Sequence, residues 1–171
     1  MGRPALAVEA LGQLLKDRRE TVAVAESSTG GLVSAALLAV AGASAFFLGG
    51  GVIYTHEARR ALLAVPDEAL AGVRPVTPEY ALRLARAVRE RLGATWGLAE
   101  SGVAGPTGNR YGDPPGRTSV AVAGPVEKAV AVETNGADRE ANMWAFAEAT
   151  LDLLAACLKG QPQAGWRPAT W

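Results

Sequence analysis

The sequence predicts an α/β domain, a three-layer sandwich in which a mixed, mostly parallel sheet carries helices on both faces. Three observations lead there. Short β-rich runs alternate with stretches of helical periodicity along the chain, the pattern of strands joined by crossover helices. Glycine- and serine-rich loops follow the strand-like runs, where sheets of this kind gather a ligand crevice. No repeat of 20–50 residues and no linker interrupts the order, so residues 1–160 read as one domain and residues 161–171 as a flexible tail.

Each element has its own justification. Ala5 to Arg18 carries Leu6, Val8, Leu11, Leu14 and Leu15 at helical spacing, an amphipathic helix. Thr21 to Ala25 (TVAVA) is a short β-rich run. Gly30 and Gly31 introduce LVSAALLAV, a buried helix that should end at Gly42. Gly51 to Thr55 reads as a second strand, and Glu57 to Val65 as a short helix stopped by Pro66. Thr77 is a good N-cap, Pro78 suits the first helical position, and the helix should reach Leu92 with Gly93 just beyond it. Thr95 to Ala99 is a third strand. A long loop, Gly102 to Gly116, holds five glycines and three prolines. Thr118–Ala123 and Lys128–Thr134 alternate like two strands of a hairpin around Gly124-Pro125. Asp138 to Leu158 closes the domain as a helix.

Composition narrows the function classes. Hydrophobic residues make up 49% of the 171 residues and charged residues 20%, which suits a folded globule. Seventeen basic and 17 acidic residues cancel, which argues against a nucleic-acid binder relying on phosphate neutralisation. Cys157 is the only cysteine, so no intrachain disulfide and no cysteine-based zinc site can form. The first residues do not resemble a signal peptide, and the richest apolar stretch, Leu32 to Leu48, is broken by Gly42 and Ser44. A cytoplasmic protein without membrane contact is the expectation.

Four segments carry candidate chemistry. The first is Ala25-Glu26-Ser27-Ser28-Thr29-Gly30-Gly31, between a strand and a helix. Its hydroxyls and glycine pair would let backbone amides meet a ligand oxygen, or simply cap the helix. It is neither a Walker A loop nor a GxGxxG fingerprint. The second runs from Gly42-Ala-Ser44 to Tyr54-Thr-His56-Glu-Ala-Arg59-Arg60 and gathers a serine, a tyrosine, the only histidine and two arginines. Ser44 has a capping role as its plain alternative, and a lone histidine is more often structural than catalytic. The third, Glu100 to Gly108, includes Ser101, Gly102, Ala104 and Gly105 directly after a strand, too long for a simple connection. The fourth is Gly136-Ala-Asp138-Arg139, where Asp138 is a natural N-cap and Arg139 is placed either to reach a phosphate or to stay solvated.

In this order the segments resemble the CinA C-terminal-domain family, the nicotinamide-nucleotide amidohydrolases of the PncC type. AESSTGG stands for that family's AESCTGG, GAS for GSS, YTHEAR for a Y-S-N-E-A-K run, SGVAGPTG for TGIAGP, and GADR for a GDR-type helix start. The likeness runs from about Ala5 to Leu158. It implies hydrolysis of the carboxamide of nicotinamide mononucleotide, without metal or cofactor, by a serine nucleophile that a lysine activates beside a tyrosine. Ser44 takes the nucleophile's place and Tyr54 the tyrosine's. The loop after the third strand would hold the substrate and help form an oxyanion site. A small-molecule partner, a pyridine nucleotide or similar phosphorylated ligand, follows, and so does a homo-oligomer, most simply a dimer.

Departures from the pattern concentrate at the chemistry. The lysine position is Arg59, and the only lysines are Lys16, Lys128 and Lys159, none in a candidate loop. A guanidinium stays protonated at neutral pH and cannot take the serine's proton. It can still bind phosphate or carboxylate through two parallel donors. Ser28, Ala43, His56, Glu100 and Met143 also stand where the family has other residues. Two functions follow as alternatives: a hydrolase in which His56 replaces the lysine as base, or a non-catalytic relative that binds its ligand through Arg59 and Arg139. On an extended strand His56 would face the same side as Tyr54. All four segments should then line one cleft at one edge of the sheet.

Overall fold

The computed structural model describes residues 5–160; the expected tail lies outside them. Helix α1 spans Ala5–Arg18, strand β1 Val22–Glu26, α2 Leu32–Leu38, β2 Phe47–Val52 and α3 His56–Leu63. Then come α4 Pro78–Leu92, β3 Trp96–Val103, β4 Arg117–Ala123, β5 Lys128–Glu133 and α5 Arg139–Leu158. Single 3-10 turns occupy Ala43–Ala45 and Asp67–Leu70. The sheet order is β2-β1-β3-β4-β5. β1 is parallel to both β2 and β3, and β4 is antiparallel to β3 and β5. Only β4 therefore runs against the others, as a mixed, mostly parallel sheet requires.

Alternation along the strands separates two cores. Val22, Val24, Trp96, Leu98, Val120 and Val122 pack with α1, α2 and α5. Ala23, Ala25, Ala99, Ala121 and Ala123 pack with α3 and α4. The second face is built from small residues, so α4 lies close on the sheet: a Cβ added at Gly97 would stand 2.0 Å from the Ala85 carbonyl oxygen. The caps expected of α4 and α5 form. Thr77 Oγ1 accepts from the Tyr80 amide, Gly93 takes φ 66°, and the Asp138 carboxylate accepts from the Ala141 amide. No helix among the described residues is long and apolar enough to cross a membrane.

Four elements differ in their bounds from the sequence expectation. α2 stops at Leu38, and β2 starts at Phe47 rather than Gly51. Glycines are poor strand formers, yet here they are recruited by pairing with β1: a Cβ on Gly50 would lie 2.7 Å from the Val24 carbonyl oxygen. The β-branched residues after Val52 do not extend the strand. Thr55 Oγ1 instead accepts the Ala58 amide and caps α3, which makes His56 the first helical residue. The expectation that Tyr54 and His56 share one side of a strand is thereby corrected. β3 also runs on to Val103, drawing Ser101 and Gly102 into the ladder with β4.

Candidate functional site

The loops after β1, β2 and β3 and the start of α5 meet at the carboxyl end of the sheet. Two buried carboxylates organise the first of these loops. Glu26 Oε1 accepts from the Thr29 hydroxyl (2.8 Å) and from the amides of Gly31 (2.8 Å) and Val33 (3.1 Å). Its Oε2 accepts from the Ser34 amide (3.0 Å) and hydroxyl (2.7 Å). The donor-rich start of α2 is thus filled by the protein's own carboxylate and does not cradle a ligand phosphate. Gly30 and Gly31, at φ 62° and 104°, supply the left-handed turn that brings these amides round Glu26.

Glu100 is the second hub and is fully buried. Its Oε2 accepts from the amides of Ser27 (3.1 Å) and Thr29 (3.0 Å). Its Oε1 meets the hydroxyls of Ser28 and Thr118. Burial pushes the Glu100 carboxyl above the ordinary carboxylate range, while the bonds from Ser28, Thr29, Ser27 and Thr118 pull the other way. Gly102 presses its backbone on this cluster, since an added Cβ would lie 2.6–2.8 Å from Thr118, Glu100 and Ser28. Of the residues expected to bind substrate here, Glu26, Ser28, Thr29 and Ser101 are buried and point into the protein; Ser101 Oγ accepts from the Val76 amide. Ser27, Gly30 and Gly31 reach the surface.

The exposed part of the site is made by Tyr54, Arg139 and the loop after β3. Arg139 Nη1 donates to the Gly105 carbonyl at 2.6 Å, and Nη2 stands 3.4 Å from the Tyr54 hydroxyl. Asn142, one turn further along α5, donates to the carbonyls of Ala104 (2.8 Å) and Gly136 (3.0 Å). The sequence reading does not single out Asn142, although its spacing of four from the buried Phe146 puts it on the inward face of α5. Among the described residues no carboxylate forms a salt bridge with Arg139. No group of three or more histidine, cysteine, aspartate or glutamate side chains there could hold a metal.

The remaining predicted residues lie elsewhere. Ser44 sits in the exposed 3-10 turn before β2, at the amino end of the sheet, whereas Tyr54 follows the carboxyl end of the same strand. At about 3.3 Å per residue, β2 separates them by roughly 17 Å or more, so one chain does not line a single cleft with all four segments. His56 is exposed at the start of α3. Arg59 is buried, pairs with Asp67 and donates to the Tyr80 hydroxyl (3.3 Å), so it ties α3 to α4 and is not directed at a ligand. Lys16, distant from every candidate loop in sequence, donates from Nζ to the Ala41 carbonyl (3.1 Å) and flanks the turn that holds Ser44.

Known proteins match this arrangement over nearly the whole domain. The CinA C-terminal domain family matches residues 5–158. A CinA-like protein of Prochlorococcus marinus is 47% identical over 112 residues, which cover 66% of this chain and 26% of that protein. A CinA-like protein of Salinibacter ruber is 37% identical over 142 residues, 83% of this chain and 34% of that one. The chain therefore spans about a third or less of the length of these curated relatives. A competence-damaged protein (CinA) superfamily structure from Klebsiella pneumoniae superposes with a TM-score of 0.86 at 28% identity, covering 93% of this chain and 99% of that one. One from Escherichia coli gives 0.82 at 26% identity, with 88% of each chain covered. On sequence and on fold alike, the chain belongs to the CinA C-terminal domain family.

Proposed function

We propose that this domain binds nicotinamide mononucleotide, or a closely related phosphorylated pyridine nucleotide, at the carboxyl ends of β1, β2 and β3, and turns its carboxamide over slowly. The observation that supports binding is Arg139. Its guanidinium is held by the Gly105 carbonyl, borders the exposed Tyr54 hydroxyl and has no carboxylate partner among the described residues. Its remaining donors suit a phosphate group. Slow turnover follows from Arg59, which by resemblance takes the place of the family's lysine, is committed to Asp67 and Tyr80, and has no lone pair with which to accept a proton. A second reading, an amidase of ordinary rate, draws support from Lys16 beside the Ser44 turn.

Calorimetric titration with nicotinamide mononucleotide tests the site. Arg139→Ala is expected to weaken binding by roughly 10–100-fold, which corresponds to about 1.4–2.8 kcal/mol. Equal affinity in the two proteins would remove Arg139 from the site. Ammonia release from the same ligand measures turnover separately.

A further inference from the structure

We infer that Asp113 is a positioning residue of the ligand site: it fixes residues 105–108, where the Gly105 carbonyl holds Arg139, without itself reaching the ligand. That Arg139 meets a phosphorylated pyridine nucleotide rests on the function proposed above; the tie within the loop does not. Asp113 is 3% exposed, although residues 110–112 beside it lie at the surface. A carboxylate buried this far is costly unless its neighbours answer it, and here they come from three parts of the chain. Arg74 Nη2 stands 2.9 Å from Asp113 Oδ1, with Arg117 Nε at 3.7 Å from the same oxygen. Asn109 Nδ2 donates to Oδ2 at 2.9 Å.

These contacts close a turn and clamp it. Asn109 Oδ1 accepts from the amides of Tyr111 and Asp113, each at 3.0 Å, and the Asn109 amide donates to the Asp113 carbonyl (3.2 Å). Arg74 Nη2 also donates to the Tyr111 carbonyl at 2.6 Å. Arg74 in turn sits on a strained and firmly held segment. Val76 has φ 61°, a left-handed value that β-branched residues avoid. Its amide donates to Ser101 Oγ on β3 (3.3 Å), and its carbonyl accepts from the Ser119 hydroxyl on β4 (3.1 Å). Such strain persists only where the surroundings over-determine it, and ligand clamps are among the places where it gathers.

The turn transmits its position to Arg139. Gly108 presses on it, since a Cβ added there would stand 2.5 Å from the Asp113 carbonyl oxygen. Two residues past Asp113, Pro115 lies 3.2 Å from a Cβ built on Gly105. Asp113 thus fixes both ends of residues 105–108, and Arg139 Nη1 takes its place from the Gly105 carbonyl at 2.6 Å.

Calorimetric titration with nicotinamide mononucleotide, at a temperature where circular dichroism shows each variant folded, tests the tie. Asp113→Asn sets a donor against Asn109 Nδ2 or against Arg74, whichever way the new amide turns. It is expected to weaken binding by about 5–20-fold. Arg74→Gln breaks the same tie from the exposed side and should act alike. Asn109→Asp combined with Asp113→Asn returns an acceptor to every donor and should restore native affinity. In an Arg139→Ala background Asp113→Asn should matter less than about twofold, because its effect passes through Arg139. Without ligand, amide hydrogen exchange across residues 103–116 should quicken in Asp113→Asn and return to the native rate in the exchanged pair. Unchanged affinity in Asp113→Asn, full additivity with Arg139→Ala, or an exchanged pair that stays weak overturns the inference. A native chain that does not bind the nucleotide would refute the proposed function. The hydrogen-exchange rates then decide the tie alone, and native rates in Asp113→Asn would overturn it.

Discussion

Glu26→Gln is expected to lower the unfolding free energy by about 2–4 kcal/mol, whereas Glu100→Gln is expected to change it by less than about 1 kcal/mol. The two glutamates are neighbours, both buried, and share the Thr29 hydroxyl. Their donors differ. Both oxygens of Glu26 face backbone amides, Gly31 and Val33 on one side and Ser34 on the other. A glutamine amide placed either way sets N–H against N–H, and the negative charge at the start of α2 is lost. At Glu100 only Oε2 faces amides; Oε1 faces the hydroxyls of Ser28 and Thr118. Hydroxyls accept as well as donate. A glutamine at position 100 would accept from Ser27 and Thr29 and donate to Ser28 and Thr118, with Thr118 turning its proton to the Ser101 carbonyl 3.1 Å away. Urea unfolding with unchanged m-values measures both differences. Equal losses in the two variants would contradict this division of roles.

The same geometry sets a pH dependence. Burial raises the Glu100 carboxyl in the folded state, so at pH values between the unfolded and the folded carboxyl values the native protein holds a proton that the unfolded chain has released. Its contribution to stability is fully present below the unfolded carboxyl value near pH 4.3 and is lost as pH rises through the higher folded value. Glu100→Gln cannot lose that proton. Measured against this variant, the wild type should lose stability as pH rises from about 4.5 and level off once Glu100 is ionised. A constant difference across that range would show that Glu100 does not titrate on its own.

The fold was legible because local and tertiary signals agree over most of the chain. Thr77, Pro78 and Gly93 bound α4, Asp138 starts α5, and the alternation of TVAVA already contains the two cores that Val22–Val24 and Ala23–Ala25 enter. Propensity places β2 at Val-Ile-Tyr-Thr, while pairing with β1 favours the glycines before it. The site was legible as a set of segments and not as a geometry. A motif records which residues occur in order; which end of a strand each occupies follows from where that strand starts. Shifting β2 to Phe47 puts Ser44 at one end of the sheet and Tyr54 at the other. In sequence Glu100 is one departure from the family pattern, but only its contacts with Ser27, Ser28, Thr29 and Thr118 show that it braces the first loop. The ion pair that occupies Arg59 carried no local signal, because its acceptor Asp67 lies in the 3-10 turn after α3.

Ammonia release from nicotinamide mononucleotide by the native sequence is expected to be slow, and Arg59→Lys combined with Asp67→Asn is expected to raise it by about 10²–10⁴-fold, the usual return from a positioned general base. That range is about 3–5 kcal/mol of barrier. The first substitution supplies, at the carboxyl end of the sheet where the ligand is proposed to bind, an amine able to take a proton from the attacking group when neutral. The second removes the carboxylate that pairs with position 59 and would hold the new lysine charged. Arg59→Lys alone should therefore gain less than the pair. Three further variants locate the base. Loss of turnover in His56→Ala would assign the role to His56. Loss in Lys16→Ala would assign it to the lysine beside the Ser44 turn. Brisk native turnover that survives both changes would show that the arginine at position 59 costs the enzyme nothing. Turnover that survives Ser44→Ala would remove Ser44 as the nucleophile.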